Sequence, residues 1–433
     1  MSSLSSRLLA VLSIAFVATT CHRAEPRDST SAQARSRAGG GSALRLRFAA
    51  EQPAVAAVVA PGAPAVPDSL ALRRPDYGAL ERALVRYRAL AADTTIPAFP
   101  TPDRLPVRPG DSLAAAEALQ ERLAAVGDLE GSADAGGIET YDSALVEAVR
   151  RFQQRHGLSM DGVIGRATLA ELQTPLDVRV TQIERALARI RRQPPVAGGP
   201  FIVVNVPAFT LFAYDGGVRD TAPALTMKVI AGRAGRFSTP SLQRQLQYLD
   251  FQPDWNVPRS ILTREIIPAL IRKPTYLRRE HMELMRGRDE VLGDTVTPEV
   301  IAQLEAGRLW VRQRRGPDNP LGRVKFVMPN DSNVYLHDTP SRALFERARR
   351  DLSHGCIRLE RARDLAVWVM RERPDWNADS VDAALAAPDF RRVALPRPVP
   401  VIVEYVTTVV MPGGAVWFVP DVYGHDGDQT NGW

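Results

Sequence analysis

Two imidazoles and a thiol lie close together in the second half of the sequence. Residues 353–358 read Ser-His-Gly-Cys-Ile-Arg, which places the thiol at Cys356, and His337 lies nineteen residues before it. A thiol needs a neighbouring cation or aligned amide dipoles to lower its pKa to roughly 3.5–7.5. The chain has one other cysteine, Cys21, near its start. The pattern therefore predicts a cysteine nucleophile rather than a disulfide.

The neighbours of the thiol suggest distinct roles in acyl transfer. We predict that His337 is the general base, and that Ser353, His354 and Gly355 belong to the same catalytic motif. His354 and the amides of Gly355 and Cys356 are expected to shape an oxyanion site, where losing one donor costs about a hundred- to a thousandfold in rate. The alternative is an inert buried cysteine, as is common for lone thiols.

The residue after the motif adds a charged group. Arg358 lies two positions beyond the nucleophile and could hold a carboxylate of an acidic substrate. Three further histidines are predicted to have no site role: His156 is expected to be structural, His281 solvated, and His425 without a partner at ligand spacing. The sequence therefore predicts no metal site and no cofactor.

The motif resembles the signature of the L,D-transpeptidases (YkuD-type catalytic domain), which has a His, a spacer and then Ser/Thr-His-Gly-Cys. Other stretches resemble the larger, YcbB-like periplasmic members. They are residues 202–207 (Ile-Val-Val-Asn-Val-Pro), 255–258 (Trp-Asn-Val-Pro), 316–322 (Gly-Pro-Asp-Asn-Pro-Leu-Gly) and 336–340 (Leu-His-Asp-Thr-Pro). One departure is that many relatives place an Asn soon after the Cys-x-Arg step, where this chain has Leu359-Glu360-Arg361.

The resemblance implies a specific reaction on peptidoglycan. Cys356 would attack a stem tetrapeptide, form a thioester, and pass the acyl group to a second stem as a 3-to-3 crosslink, in cell-wall biogenesis and maintenance of cell shape. Tyr335 and Trp255 are expected to contact the substrate. Carbapenems are expected inhibitors by resemblance. The alternatives are an L,D-carboxypeptidase, with water as acceptor, and a non-catalytic peptidoglycan-binding adaptor.

The elements that must position these residues predict an α+β multidomain protein. Helical periodicity fills the middle of the chain, and alternating or apolar runs typical of strands fill the second half. The resemblance implies a mostly β, sandwich-like catalytic domain. The predicted segments are a remnant helical scaffold (68–109), a three-helix domain resembling peptidoglycan-binding domains (110–175), a connecting helix (176–200), the catalytic domain (201–426) with a helical lid insertion (259–308), and a tail (427–433).

The first residues have the features of an export signal. Arg7 precedes an apolar run at residues 8–18, with small residues before Cys21. We expect residues 1–20 to be removed and Cys21 to be a lipidated first residue, slightly ahead of simple cleavage. Residues 21–67, rich in Ala, Gly, Ser and Pro, are expected to be a flexible linker. The predicted location is the periplasm or cell envelope, with membrane contact through Cys21 alone.

Charge adds little to this prediction. The chain of 433 residues carries a formal net charge of +6. A basic protein favours anionic partners such as wall polymer, nucleic acid or acidic lipid. No basic strip interleaved with aromatic residues appears, so nucleic acid is not an expected partner.

Overall fold

The computed structural model describes residues 74–129, 139–194, 198–216 and 222–427. The predicted export signal, Cys21, the linker and the end of the tail lie outside these residues. Within the described ranges, no helix combines the length and the apolar character needed to cross a bilayer.

Five helices form the first part of the described chain. Helix α3 begins at Asp142, whose side chain accepts a hydrogen bond from the Leu145 amide at 2.9 Å, an N-cap that satisfies a free amide of the first turn. The bounds are α1 Pro75–Ala92, α2 Ala116–Val126, α3 Ser143–Arg155, α4 Arg166–Gln173 and α5 Leu176–Arg191.

The helices build two apolar cores. Helices α2, α3 and α4 bury Leu119, Val149 and Leu172 in one cluster within the predicted three-helix region. Helices α1 and α5 pack against each other and share a second cluster with Phe418, a residue of the last strand. The predicted scaffold helix therefore packs directly on the end of the catalytic domain.

The second part of the chain is a sheet that closes on itself. The order of the eight strands in the ring is β1, β2, β3, β12, β10, β9, β4 and β13, and β13 pairs with β1 to complete it. The strands are β1 Phe201–Asn205, β2 Thr210–Tyr214, β3 Leu225–Gly232, β4 Leu242–Phe251, β9 Val324–Val327, β10 Leu336–His337, β12 Ile357–Leu359 and β13 Arg391–Glu404.

Other elements surround this ring. Strand β11 (Asp351–Ser353) extends the end of β3, and β14 (Thr408–Val410) pairs with β15 (Val416–Phe418) in a separate hairpin. Helices α10 (Ala362–Met370) and α11 (Ala378–Ala386) contribute Leu365 and Val381 to the main core, where Leu336 and Ile357 are fully buried. The prediction of a mixed α+β protein with a β-rich catalytic domain is confirmed.

The insertion before the catalytic strands is not purely helical. Its four-stranded sheet has the order β5 (Trp255–Asn256), β8 (Leu309–Gln313), β6 (Met282–Arg286) and β7 (Glu290–Gly293). Around it lie α6 (Arg259–Ile261), a π-helix (Leu262–Ile266), α7 (Ile267–Arg272), α8 (Tyr276–Arg279) and α9 (Pro298–Glu305). Because β5 and β8 lie outside residues 259–308, the unit is wider than predicted. The first four residues of β6 are all buried, so they lack the alternation by which a strand is recognised.

Candidate active site

Strand register places a row of polar residues across five neighbouring strands of the ring. His337 of β10 is paired with Arg358 of β12 on one side and with Lys325 of β9 on the other. The row continues to Asp250 of β4 and Arg392 of β13. Paired residues in neighbouring strands project from the same face of a sheet, so the five side chains share one face.

The nucleophile candidate lies two positions before this row, beyond the Leu336–Ile357 pair. The amide of Ile357 donates to the carbonyl of Tyr335 at 3.0 Å, which sets Tyr335 beside Cys356. The Cys356 thiol is half-buried and donates to the carbonyl of Asn333 at 3.6 Å. Asn333 has a positive φ of 52°, which turns its peptide at the edge of the site. The thiol therefore lies against the segment 333–335, with Tyr335 as its immediate neighbour.

The resting thiol is not activated in the way the sequence predicted. Burial raises the pKa of Cys356 above its ordinary value. Hydrogen bonds from the backbone and side chain of Tyr335, and the charges of Lys325 and Arg358, lower this pKa but do not offset burial. The expectation of a lowered pKa in the free protein is therefore wrong, because desolvation of the thiolate outweighs the nearby cations.

His337 is buried beneath the same surface. Its Nδ1–H donates to the carbonyl of Asp338 at 2.6 Å, and the carbonyl of Pro320 also faces the ring. Burial, with the charges of Arg358 and Lys325, lowers the pKa of His337 to about 3. The structure gives His337 no hydrogen bond to Cys356. The ring of Tyr335 lies next to that of His337, with centroids 5.6 Å apart.

Two cations of the row form no ion pair among the described residues. The guanidinium of Arg358 forms no ion pair within the described part of the chain, and its buried Nε has no hydrogen-bond acceptor. Lys325 lies over the ring of Tyr335, 4.0 Å from the centroid, and burial lowers its pKa. The nearest acid in the row, Asp250, is taken by Arg392 at 2.7 Å. The site therefore presents one guanidinium with no carboxylate neighbour, Arg358, and one lysine that shares Asp250 with Arg392.

The catalytic loop is organised by one hydroxyl. The Ser353 hydroxyl donates to the carbonyl of Cys356 at 2.6 Å and accepts the amide of Gly355 at 3.1 Å. The Gly355 amide is thus already used, and the prediction that it serves the oxyanion site is wrong in this structure. The amide of Cys356 has no acceptor among the described residues. The free donor at this position is the Cys356 amide, since the Tyr335 hydroxyl is already hydrogen-bonded to the thiol.

The insertion contacts the candidate site at two points, one on the catalytic loop and one at Tyr335. Nε2 of His354 lies 2.6 Å from a carboxylate oxygen of Glu265 in the π-helix, and its ring packs edge-on against Phe237 at 4.6 Å. The indole N–H of Trp255 donates to the hydroxyl of Tyr335, which lowers the pKa of that phenol, although burial dominates and raises it. His354 therefore ties the loop to the insertion, while Trp255 orients Tyr335.

The structure thus brings Cys356, Tyr335, Arg358 and Trp255 together, with His337 paired to Arg358 two positions along the strands. It also adds Lys325 and Glu265, which the sequence reasoning did not identify. Lys325 carried a signal, because it is one of three lysines in a chain with 55 basic residues and alternates with buried Val324 in a strand. Among the described residues, no group of three or more His, Cys, Asp or Glu side chains is arranged to hold a metal ion.

Comparison with known sequences identifies two regions of the chain. Residues 199–403 match the family model described as "L,D-transpeptidase catalytic domain", and residues 112–172 match the one described as "Putative peptidoglycan binding domain". A Haemophilus influenzae protein described as "Putative L,D-transpeptidase" is 32% identical over 241 residues. The match covers 55% of this chain and 46% of that protein, so the chain spans about half the length of its relative.

Solved structures give weaker similarity. An L,D-transpeptidase from Xylanimonas cellulosilytica is 16% identical with a TM-score of 0.20, over 70% of this chain and 100% of that one. An L,D-transpeptidase from Stackebrandtia nassauensis is 14% identical with a TM-score of 0.25, over 70% and 97% of the two chains.

Proposed function

We propose that this protein forms 3-to-3 crosslinks between peptidoglycan stem peptides, because residues 199–403 match an L,D-transpeptidase catalytic domain and residues 112–172 match a peptidoglycan-binding domain. In this proposal Cys356 is the nucleophile and His337 the general base. The donor is a stem tetrapeptide, and the acceptor is the side-chain amine of a second stem.

The observation that carries the proposal is the uncompensated charge beside the thiol. Stem peptides are acidic, and Arg358 and Lys325 offer two cations with no ion-pair partner in the described structure. A guanidinium binds a carboxylate through two parallel hydrogen bonds. A donor carboxylate held by Arg358, two residues from Cys356, would bring a neighbouring carbonyl carbon to the thiol.

Binding of such a donor also supplies the missing activation. The charges of Arg358 and Lys325 are part of the reason that His337 has a pKa of about 3. A bound carboxylate neutralises them and raises the pKa of His337 toward its ordinary value, so that it becomes a better base. In this proposal the activation comes from a more basic His337, because the same neutralisation removes two charges that lower the pKa of Cys356.

The reaction then proceeds in two balanced steps. The sulfur of Cys356 attacks the donor carbonyl, and the thiol proton passes to His337 and on to the departing D-alanine amine. The oxyanion is stabilised by the Cys356 amide and the Tyr335 hydroxyl. In the second step the acceptor amine attacks the thioester, gives its proton to His337, and releases the thiol. Water in place of the amine would give a tripeptide.

We further propose that the protein acts in the cell envelope, with Cys21 as a lipid anchor, since the sequence before residue 21 has the features of an export signal. Peptidoglycan lies in this compartment. β-Lactams of the carbapenem class are proposed as acylating inhibitors of Cys356.

The test is intact-mass spectrometry of the full-length protein and of its products after incubation with a disaccharide tetrapeptide. We expect a crosslinked dimer, and a transient adduct on the protein, both absent from the Cys356→Ala variant. Tripeptide without dimer would replace the transpeptidase with a carboxypeptidase. Unchanged substrate, with no adduct on Cys356, would favour a binding adaptor.

A further inference from the structure

A small hydrogen-bond network contacts the catalytic loop and does not include the thiol's neighbours Tyr335 and Arg358. Its centre is Thr239, which is buried at 4% exposure. The Thr239 hydroxyl accepts the amide of Gly232 at 2.8 Å and donates to the carbonyl of Gly355 at 2.9 Å. Both functions of this hydroxyl are therefore used, and one of them holds the residue before the nucleophile.

The bond to Gly355 fixes the direction of the next amide. In a trans peptide the C=O and the following N–H point in opposite directions. Because Thr239 holds the Gly355 carbonyl on its own side, the Cys356 N–H must point away from Thr239. That N–H is the donor left without an acceptor among the described residues. Thr239 therefore determines the direction of a donor for the developing oxyanion.

The alternative orientation is open to this peptide without Thr239. Gly355 has a φ of +116°, a conformation that glycine adopts readily, and glycine has no side chain to resist rotation of the adjoining peptide. Ser353 binds the Gly355 amide and the Cys356 carbonyl, but neither bond fixes the peptide between Gly355 and Cys356 directly.

A tyrosine from the end of the chain holds Thr239 in turn. The hydroxyl of Tyr423 accepts the Thr239 amide at 3.2 Å and donates to the carbonyl of Gly232 at 2.5 Å. The two loops are also in close contact, since a Cβ at Gly232 would lie 3.0 Å from the Cα of Gly355 and 1.9 Å from the Phe237 carbonyl. The network is thus closed, with Thr239 bonded on both sides.

We infer that Thr239 is a positioning residue for acyl transfer: it orients the Gly355–Cys356 peptide so that the Cys356 amide meets the oxyanion. The role of this peptide in crosslinking rests on the proposed function. The orientation of the Cys356 amide, however, should affect acyl transfer to Cys356 from any donor. Alkylation of the same sulfur forms no oxyanion, so it should be independent of Thr239.

The experiment compares these two reactions in the full-length protein. The variant Thr239→Val keeps the shape of the side chain and removes the hydroxyl, and Thr239→Ser keeps the hydroxyl. Acylation of Cys356 is measured as the burst of p-nitrophenolate from p-nitrophenyl acetate, and alkylation as the rate of iodoacetamide labelling, with Cys356→Ala as the blank. We expect Thr239→Val to slow acylation about ten- to a hundredfold. Alkylation should change less than about twofold, and Thr239→Ser should retain both rates.

Equal slowing of both reactions by Thr239→Val, or unchanged acylation, would overturn the inference. So would a wild-type protein that gives no burst dependent on Cys356. If Thr239→Val fails to fold, as judged by its thermal unfolding, Tyr423→Phe takes its place and should show the same selective loss of acylation. Because the ester is not a peptidoglycan fragment, a protein that ignores stem peptides but is acylated by the ester would contradict the proposed function and leave this test intact.

Discussion

Two regions of this protein each bury a histidine beside basic side chains. In the helical region His156 stacks on Phe152 at 3.9 Å, and its pKa is lowered by burial and by the charges of Arg155 and Arg179. In the catalytic region His337 is buried beside Arg358 and Lys325, for the same electrostatic reasons. Burial beside cations therefore does not by itself identify a catalytic histidine.

The two regions differ in what balances the cations. Arg155 pairs with buried Asp128 at 2.6 Å, and Arg179 pairs with Glu171 at 2.6 Å. At the candidate active site neither Arg358 nor Lys325 forms an ion pair within the described structure, although Lys325 is attracted by Asp250, and the Nε of Arg358 is buried without an acceptor. Burying an unpaired charge destabilises a fold. The cations beside His156 are thus neutralised by carboxylates of the fold, whereas Arg358 beside His337 would be neutralised only by an anionic ligand such as the proposed donor.

The largest expected effect is on stability in the helical region. The variant Asp128→Asn would leave the buried guanidinium of Arg155 without its counter-charge and should lower the free energy of unfolding by about 3–5 kcal/mol. Urea unfolding measures this change. The matched control is Glu147→Gln, which breaks an exposed pair with Arg150 and should cost at most about 1 kcal/mol. Equal costs for the two variants would contradict the comparison.

The next effect is on activity in the catalytic region. The variant Arg358→Met should lower kcat/KM for the stem peptide about a hundred- to a thousandfold, because the donor carboxylate loses its partner. Its stability should be unchanged or higher, since an unpaired buried charge is removed. Steady-state kinetics and thermal unfolding of the same sample measure both. Arg361→Met, which removes an exposed arginine paired with Asp364, should change neither.

Acid should destabilise both regions through the same linkage. His337 has a folded pKa of about 3, below its unfolded value, so the unfolded chain binds more protons as pH falls from about 6.5. The contribution of His337 to the free energy of unfolding is fully present above that pH. It decreases as the pH falls, by about 2–3 kcal/mol at about pH 4.5. His156 acts in the same direction, because its pKa is also lowered.

The measurement is the pH dependence of unfolding for His337→Gln and His156→Gln. Each variant should show a shallower loss of stability between about pH 6.5 and 4.5 than the parent protein. The two should differ in catalysis, with turnover lost in His337→Gln and retained in His156→Gln. A slope unaffected by His337→Gln would mean that the imidazole is not held neutral.

The smallest expected effect is at the contact between insertion and loop. The variant Glu265→Gln keeps a hydrogen bond to His354 but removes its charge, and should lower kcat less than about tenfold. Glu280→Gln is the control, because Glu280 lies in the same insertion and pairs with exposed Arg279. A hundredfold loss in Glu265→Gln would place His354 in the chemistry rather than in support of the loop.

The sequence identified those features whose residues are close together along the chain. The run at 353–358 and the upstream His337 could be read directly, and helical periodicity predicted the three-helix region. The sheet of the insertion could not be predicted, because β7 has four residues and β6 lacks alternation. Short strands take their stability from tertiary pairing, which the local sequence does not encode.

The supporting residues were missed for a different reason. Thr239 contacts Gly355 across 116 positions, and Glu265 contacts His354 across 89. No local pattern marks a threonine in a loop or a glutamate in a helix as part of a distant site. The pKa of Cys356 was also misjudged, since the extent of its burial depends on packing that spacing cannot indicate.

The closure of the ring has a consequence for how the protein folds. Strand β1 is completed by β13, which lies almost 200 residues later, with Ile202 opposite Val401. Pairings this distant in sequence are slow to form, because the chain must lose the entropy of a long loop first. Until β13 pairs with it, β1 therefore has one open edge, and the peptide that Thr239 orients gains its last support from Tyr423. A chain that ended before Tyr423 would contain Cys356, His337 and Thr239 and would still lack the bond between Tyr423 and the Thr239 amide.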